Sequence, residues 1–462
     1  MVQPSDSRFV ILFACAAAMG GFLFGFDTAV INGAVEALRL HFSAGPWTIG
    51  LSVSLALLGS AVGALAAGPL SDRLGRRPVM LWSAALFMVS SIGSGLPITI
   101  WDFIVWRTLG GIAVGAASVV APAYIAEIAP ARMRGRLGSL QQLAIVGGIF
   151  AALLVNWMLA RIAGSATEPI LGAAAWRWMF WSEVLPAIAY GLGAWLVPES
   201  PRFLVAHGRQ AEARAVLERV EPATAAVQLA AIQGSLAAWT PPRFADLRRP
   251  GGGLLAIVWV GIVLSLLQQL SGINVIFYYG TSLWQSVGFG EERAMLLNVL
   301  TGVVNIVTTL IAIATVDRFG RKPLLLIGSA VMSLCLGLMA AAFLLAPLGA
   351  DGKPALGGLL AVCALVGANG FVVAFGASWG PVVWVLLGEM FPNRIRGAAL
   401  ALSACLMWVA NFAISTTFPP MAEHLGLGAS YAIYATFAAI SLWFVARHVR
   451  ETKGVELEQM GR

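Results

Sequence analysis

Long apolar runs separated by short polar segments make up almost the whole chain. Runs long enough to cross a membrane lie near 9–35, 47–70, 78–97, 101–122, 135–160, 177–197, 254–280, 294–316, 323–347, 357–388, 397–420 and 427–446. A bilayer core about 30 Å thick is crossed by roughly 20 helical residues, so each run predicts one membrane-spanning helix. The one long polar stretch, 198–250, separates the sixth run from the seventh. Within it, "HGRQAEARAVLERVE" sets Ala211, Ala215 and Leu217 among Arg and Glu, the pattern of a short amphipathic helix. The expected fold is an all-α membrane protein: a six-helix bundle over 1–197, a linker with short helices over 198–250, and a second six-helix bundle with a tail over 251–462.

Composition supports this and removes several alternatives. Residues are 59% hydrophobic and only 11% charged, where soluble domains carry about 25% charged residues. With the first segment placed in the cytoplasm, 23 of the 29 Lys and Arg fall on cytoplasmic segments and five on the other side, with Arg107 inside a span. Positive residues mark the cytoplasmic face, so both termini are expected there. The net charge of +7 is then a topology signal, and no nucleic-acid partner is expected. The four cysteines have no metal or redox spacing, and the four histidines lie near run ends or between runs. No Walker-type loop, zinc-protease motif or nucleophile elbow is found. No metal, no cofactor and no enzymatic activity are expected.

The chain repeats itself. "SDRLGRRP" (71–78) returns as "VDRFGRKP" (316–323), each after the second run of a set of six. "EIAPARMRG" (127–135) returns as "EMFPNRIRG" (389–397), and "PESPR" (198–202) has its counterpart in "RETKG" (450–454). Two six-helix repeats with substrate bound between them near the midplane are typical of transporters. The repeated loops gather opposite charges: Asp72, Arg76, Arg77, Glu127, Arg134 and Glu199 in one half, Asp317, Arg321, Lys322, Glu389, Arg396 and Glu451 in the other. Orientation needs only the cations, so the acids predict a charge latch that holds the cytoplasmic ends together and breaks when that side opens.

Asp27 and Arg107 lie well inside their spans at similar depth. Asp27 stands about eight residues, roughly 12 Å, from the outer end of the first run, and Arg107 about six residues, roughly 9 Å, from the outer end of the fourth. Buried ions in membranes pair and face the bundle interior, so Asp27 and Arg107 are expected to pair. A carboxyl that parts from its cation in an apolar interior takes up a proton, which makes Asp27 the expected proton acceptor. The alternative is a permanent ion pair that pins two spans.

In the seventh span, "LLQQLSGINVIFYYG" carries Gln268, Gln269 and Asn274, amides that both donate and accept hydrogen bonds and so suit a polyhydroxylated ligand. Ser271-Gly272 allows the helix to loosen, as happens where backbone lines a wet cavity. Tyr278 and Tyr279 follow toward the outer end, where they can close over a bound ring.

Taken together, "GFLFGFDTAVING", "RTLGGIAVG", "PESPRFL", "QQLSGINVIFYYG", "DRFGRKP" and "SWGPVVWVLLGEMFPNRIRG" resemble the sugar porter family of the major facilitator superfamily over nearly the whole chain. Its proton-coupled xylose permeases and facilitative glucose carriers are nearest in pattern. The resemblance implies that Gln142, Gln268, Gln269, Asn274, Asn305 and Trp384 contact a sugar, with Phe24, Tyr279 and Trp408 nearby. Proton-coupled members have an acid at the Asp27 position and arginine at the Arg107 position; uniporting human carriers have asparagine at the first. Met407 and Gly376 depart from the pattern, since other members carry an amide and a glutamate there. The expectation is a proton-coupled monosaccharide symporter, hexose or pentose, that works as a monomer in the lipid bilayer of the bacterial inner membrane. Its alternatives are a facilitator without proton coupling and, given the short segment after the last run, less readily a sugar sensor.

Overall fold

The computed structural model describes residues 7–130, 133–237, 244–249, 251–347, 356–392 and 395–451. Among the described residues, twelve helical spans cross the molecule. The first five are Ser7–His41, Pro46–Leu74, Arg76–Ser94, Ile100–Ile128 and Arg134–Ala163, and the sixth is Ala175–Ser182 continued by Val184–Leu196. The seventh is Ala256–Leu270 with Ile273–Ser286, followed by Glu291–Phe319 and Arg321–Leu345. Gly358–Ala377 with Trp379–Met390 forms the tenth, and Arg396–His424 and Gly426–His448 complete the set. All but the third and sixth are long and apolar enough by themselves to cross a membrane. The third carries four serines in 19 residues, and the sixth is interrupted at Glu183. Three short α-helices, Pro201–Ala206, Gln210–Val220 and Ala225–Ala237, and a 3-10 turn, Phe244–Leu247, lie between the sixth and seventh spans among the described residues. The amphipathic helix read from 207–221 is the second of these.

Helices run past the apolar runs that announce them. The first span continues beyond Val35 to His41, its last turns carrying Glu36 and Arg39, which pair at 2.6 Å. A pair three residues apart on a helix keeps charge at the rim without breaking the turn.

Within the first bundle, small residues let backbones meet. Gly59 and Gly63 on the second span pack on Thr108 and Ile112 of the fourth, Gly111 and Gly115 of the fourth pack on Ala56 and Ser60 of the second, and a Cβ at Gly111 would lie 2.0 Å from the Ala56 carbonyl oxygen. This close approach, used in membranes where apolar burial gives helices no reason to associate, fixes the fourth span one turn beyond Arg107. Gly25 and Gly148 do the same between the first and fifth spans, which fixes the backbone beside Asp27.

The repeated loops are helix-end staples. Gly75 has φ +104° and Gly320 φ +88°, conformations that disfavour any side chain. Glu199 accepts from the backbone N–H groups of Arg76 and Arg77 at 2.9 and 3.2 Å, so a carboxylate sits on the positive N-terminus of the third span. Glu451 accepts in the same way from Arg321 and Lys322, both at 3.0 Å, at the start of the ninth. The cations reach the C-termini of the sixth and twelfth spans: Arg77 donates to the Trp195 carbonyl at 2.7 Å and Lys322 to that of Ala446 at 3.0 Å. Arg76 meets Glu127 at 2.9 Å and Asp72 at 3.0 Å; Arg321 meets Glu389 at 2.7 Å. Arg396 donates to the Phe391 carbonyl at 3.1 Å. The side chains of Arg134 and Asp317 lie outside the described residues. These bonds join helix ends of the same half.

At the opposite end the two halves are joined directly. Asn32 of the first span donates to the Phe277 carbonyl at 2.8 Å and accepts from the Thr281 N–H at 3.1 Å, the Thr281 hydroxyl at 2.5 Å and the Asn298 amide at 3.2 Å. Ser54 and Thr416 share a hydroxyl hydrogen bond of 2.6 Å, and the Ala166 N–H donates to Glu291 at 2.7 Å.

Candidate functional site

Two breaks in otherwise continuous helices shape the centre of the molecule. Gly272 takes φ +82° between the halves of the seventh span, at the Ser-Gly pair where loosening is expected. The tenth span breaks at Ser378 (φ −136°, ψ −85°), after which Trp379-Gly380-Pro381 begins a new helix. Proline is tolerated in a first helical turn because its missing N–H has no intrahelical partner there. Gln268 spans the two breaks: its amide nitrogen donates to the carbonyls of Trp379 at 2.8 Å and Gly380 at 3.3 Å.

Between the halves lies a cavity of about 540 Å³, within the range of small-molecule sites. It is lined by Gln142, Gln268, Gln269, Asn274, Asn305, Trp384, Phe24 and Trp408, eight of the nine residues expected around a sugar. The chemistry of the wall is mixed. Gln268 donates through its amide nitrogen to the broken tenth span, and its buried side-chain oxygen has no hydrogen-bond partner. Gln269 accepts from the Asn274 amide at 2.6 Å, which holds both side chains and leaves the Gln269 amide nitrogen as a donor. The Phe24 and Trp408 rings lie 5.7 Å apart and offer apolar faces. Amide edges with aromatic faces match a ring that carries hydroxyls at its rim and C–H groups on its face. The lining extends toward the basic end through Ala64, Ser118 and Pro122, and Trp384 on that side is exposed.

Tyr279 does not reach this cavity. Its hydroxyl donates to the Ser415 carbonyl at 2.7 Å and its ring packs 5.3 Å from Phe418. Tyr278 lines the cavity instead. It stands four residues after Asn274, so both share one face of the helix that restarts after Gly272. Gln141, Asn411 and Thr309 also line the wall and were not singled out from the sequence. Met407 and Gly376 line it too, and a Cβ at Gly376 would lie 2.6 Å from the Thr308 hydroxyl. At these two positions the wall therefore carries no polar side-chain group.

Beside the cavity, the two intramembrane charges meet. Arg107 donates through Nη1 to Asp27 Oδ1, and through Nη2 to the Asp27 carbonyl at 3.2 Å. Asp27 is 6% and Arg107 2% exposed. The Phe180 ring lies 5.5 Å from the guanidinium carbon, which adds a cation–π contact to the desolvated charge. A third ionisable group completes the cluster. Glu183, 1% exposed, places Oε1 3.8 Å from Arg107 Nη1 and accepts from the Ser91 hydroxyl at 2.9 Å. Glu183 was not among the residues expected from the sequence, although, like Asp27, it is an acid within an apolar run. Two carboxyls thus face one guanidinium in an apolar interior. Among the described residues, no group of three or more His, Cys, Asp and Glu forms a metal site.

A sequence model of the family described as sugar (and other) transporter matches residues 13–462. A glucose transport protein of Synechocystis is 60% identical over 99% of both chains. The D-xylose-proton symporter of Escherichia coli K12 is 37% identical over 98% of this chain and 96% of its own. The inward-open structure of the E. coli xylose transporter superposes with a TM-score of 0.84 at 36% identity, covering 98% of this chain and 99% of that one.

Proposed function

The chain belongs to the family of sugar transporters, and from that premise we propose that it is a proton-coupled monosaccharide symporter of the bacterial inner membrane. It works by alternating access as a functional monomer, with both termini cytoplasmic. The observation that carries the proton is the cluster of Asp27, Glu183 and Arg107. Two acids and one base leave an extra negative charge when both acids are ionised, and an apolar interior tolerates that poorly. Holding one proton neutralises the cluster. Asp27 is the proton acceptor: when it parts from Arg107 it takes the proton, and when the pair reforms it releases it.

Sugar is held by Gln142, Gln268, Gln269, Asn274 and Asn305, with Trp384, Phe24 and Trp408 against its faces. Tyr278, rather than Tyr279, stands over the site. The Asn32 bonds close the outer end, and the cavity reaches toward the basic end, so the arrangement corresponds to an inward-facing state. That agrees with its similarity to an inward-open relative. The charge clusters at the basic end space the helix ends of each bundle in this state. Their role as a tie between bundles belongs to the state in which the outer ends part.

The 60%-identical relative is named for glucose and the more distant one for xylose, so a hexose of the glucose type is the first sugar to test. A facilitator without proton coupling is the second reading, because the glucose relative's name mentions no proton. Uptake of labelled hexoses and pentoses into proteoliposomes, with and without an imposed pH gradient, separates the two. The symport reading expects sugar to accumulate only with the gradient, inside acid-to-outside alkaline reversal abolishing it. Equal rates and no accumulation under any gradient favour the facilitator.

A further inference from the structure

A second, much smaller space adjoins the charge cluster. It measures about 10 Å³, room for about one water, and Asp27 and Arg107 both line it. Every other lining residue comes from the first, second and fourth spans except one, Tyr278, from the outer half of the seventh. Tyr278 also lines the large cavity, together with Phe24 and Thr28. The three side chains therefore form the partition between the space beside the carboxyl and the space proposed for sugar.

Tyr278 is the member of that partition that belongs to the other half of the molecule. It lines the large cavity together with Asn411 of the eleventh span. Its helix carries Asn274 one turn earlier, and the next residue back, Phe277, is gripped through its carbonyl by Asn32. The half-helix Ile273–Ser286 is set apart from the rest of its span by the break at Gly272. A movement of this half-helix, whether driven at Asn274 by sugar or at Asn32 by parting of the outer ends, shifts the Tyr278 ring against the space beside Asp27.

We propose that Tyr278 is the positioning residue that couples sugar to proton: its ring separates Asp27 from the sugar cavity, and its withdrawal with the outer half of the seventh span opens the carboxyl to cavity water. This rests on the reading of Asp27 as the proton acceptor. The proton moves between water and the Asp27 carboxyl, with Arg107 and Glu183 as the other charged groups facing it, and Tyr278 itself neither donates nor accepts it. Without the ring, Asp27 meets cavity water whether or not sugar is bound, and protons cross on their own.

The test compares wild type with Tyr278→Ala, Tyr278→Leu and Tyr278→Phe in proteoliposomes that enclose a pH-sensitive dye. Three quantities are read: glucose exchange at equal concentrations, glucose accumulation under an imposed pH gradient, and proton entry without sugar. At one proton per sugar, a one-unit gradient sustains up to about tenfold accumulation in wild type, with no proton entry in the absence of sugar. For Tyr278→Ala and Tyr278→Leu, exchange slows but persists, accumulation falls to none, and protons enter without sugar. Tyr278→Phe keeps the ring and restores accumulation. The inference is overturned if Ala or Leu variants exchange and still accumulate, if Tyr278→Phe fails to restore accumulation, or if neither Ala nor Leu exchanges sugar at all. Absence of gradient-driven accumulation in wild type instead overturns the symport reading on which it rests.

Discussion

Replacing Asn32 with alanine removes the polar clamp between the outer ends of the two halves. Its side chain makes four cross-half bonds of 3.2 Å or less, one donated to Phe277 and three accepted from Thr281 and Asn298, and a fifth, long one donated to the Ile276 carbonyl at 3.5 Å. The clamp is buried, Asn32 being 1% exposed, and Gly280 leaves room for it, since a Cβ there would lie 2.2 Å from Asn298 Oδ1. Hydrogen bonds between membrane helices average about 0.6 kcal/mol, so four give about 2 kcal/mol, or roughly a 30-fold shift of a two-state equilibrium. The bonds exist only while the outer ends are closed, and the whole shift therefore favours the outward-facing state. The partners retain some satisfaction, because Asn298 still donates to Thr281 at 2.9 Å and to the Ala294 carbonyl at 3.1 Å. The folded protein should therefore survive the change. Spin labels at the outer ends of the first and seventh spans report the distance between halves by pulsed electron resonance. Asn32→Ala is expected to raise the long-distance population strongly and to tighten binding of a non-transported sugar added from outside. An unchanged distance distribution in a folded variant refutes the clamp.

Other expectations rest on separate contacts. Gly50 packs so closely on the eleventh span that a Cβ would lie 2.2 Å from the Thr416 carbonyl oxygen. Gly50→Trp should prevent outer closure, so that external sugar binds but neither uptake nor exchange proceeds; wild-type exchange by this variant argues against that packing. In the proposed site, Gln269→Ala removes one neutral hydrogen-bonding partner of the sugar, worth about 1 kcal/mol, and should raise the Kd about fivefold while changing the melting temperature little, since it frees only the Asn274 amide at the cavity wall. Gln268→Ala also releases the carbonyls of Trp379 and Gly380, so it should lower both affinity and melting temperature. Calorimetric binding and a thermal melt of detergent-solubilised protein distinguish the two glutamines.

Much of this was legible in the chain because membranes impose simple rules. Backbone groups must be satisfied internally, so each apolar run had to be a helix, and repeated acid–base loops marked the two halves. Asp27 and Arg107 were legible as a pair because charge at similar depth has few places to go. The break at Gly272 was legible from a glycine next to serine; the break at Ser378 was announced only by Gly380-Pro381 in mid-run, which reads equally well as a kink. Tyr278 and Tyr279 could not be told apart, since the phase of the helix after Gly272 decides which ring faces inward, and that phase is set by tertiary packing. The charge loops were legible as clusters, but not as staples, because Glu199 and Glu451 act on backbone N–H groups far away in sequence. Glu183 was legible and missed.

The central claim is that Asp27 carries the proton that drives sugar uphill. Asp27→Asn in proteoliposomes tests it most directly, because asparagine keeps the shape and a hydrogen bond to Arg107 while removing the titratable group. The account predicts that this variant exchanges labelled glucose across the membrane yet accumulates none under an imposed pH gradient. Accumulation equal to that of wild type, abolished by an uncoupler as wild-type accumulation is, contradicts it.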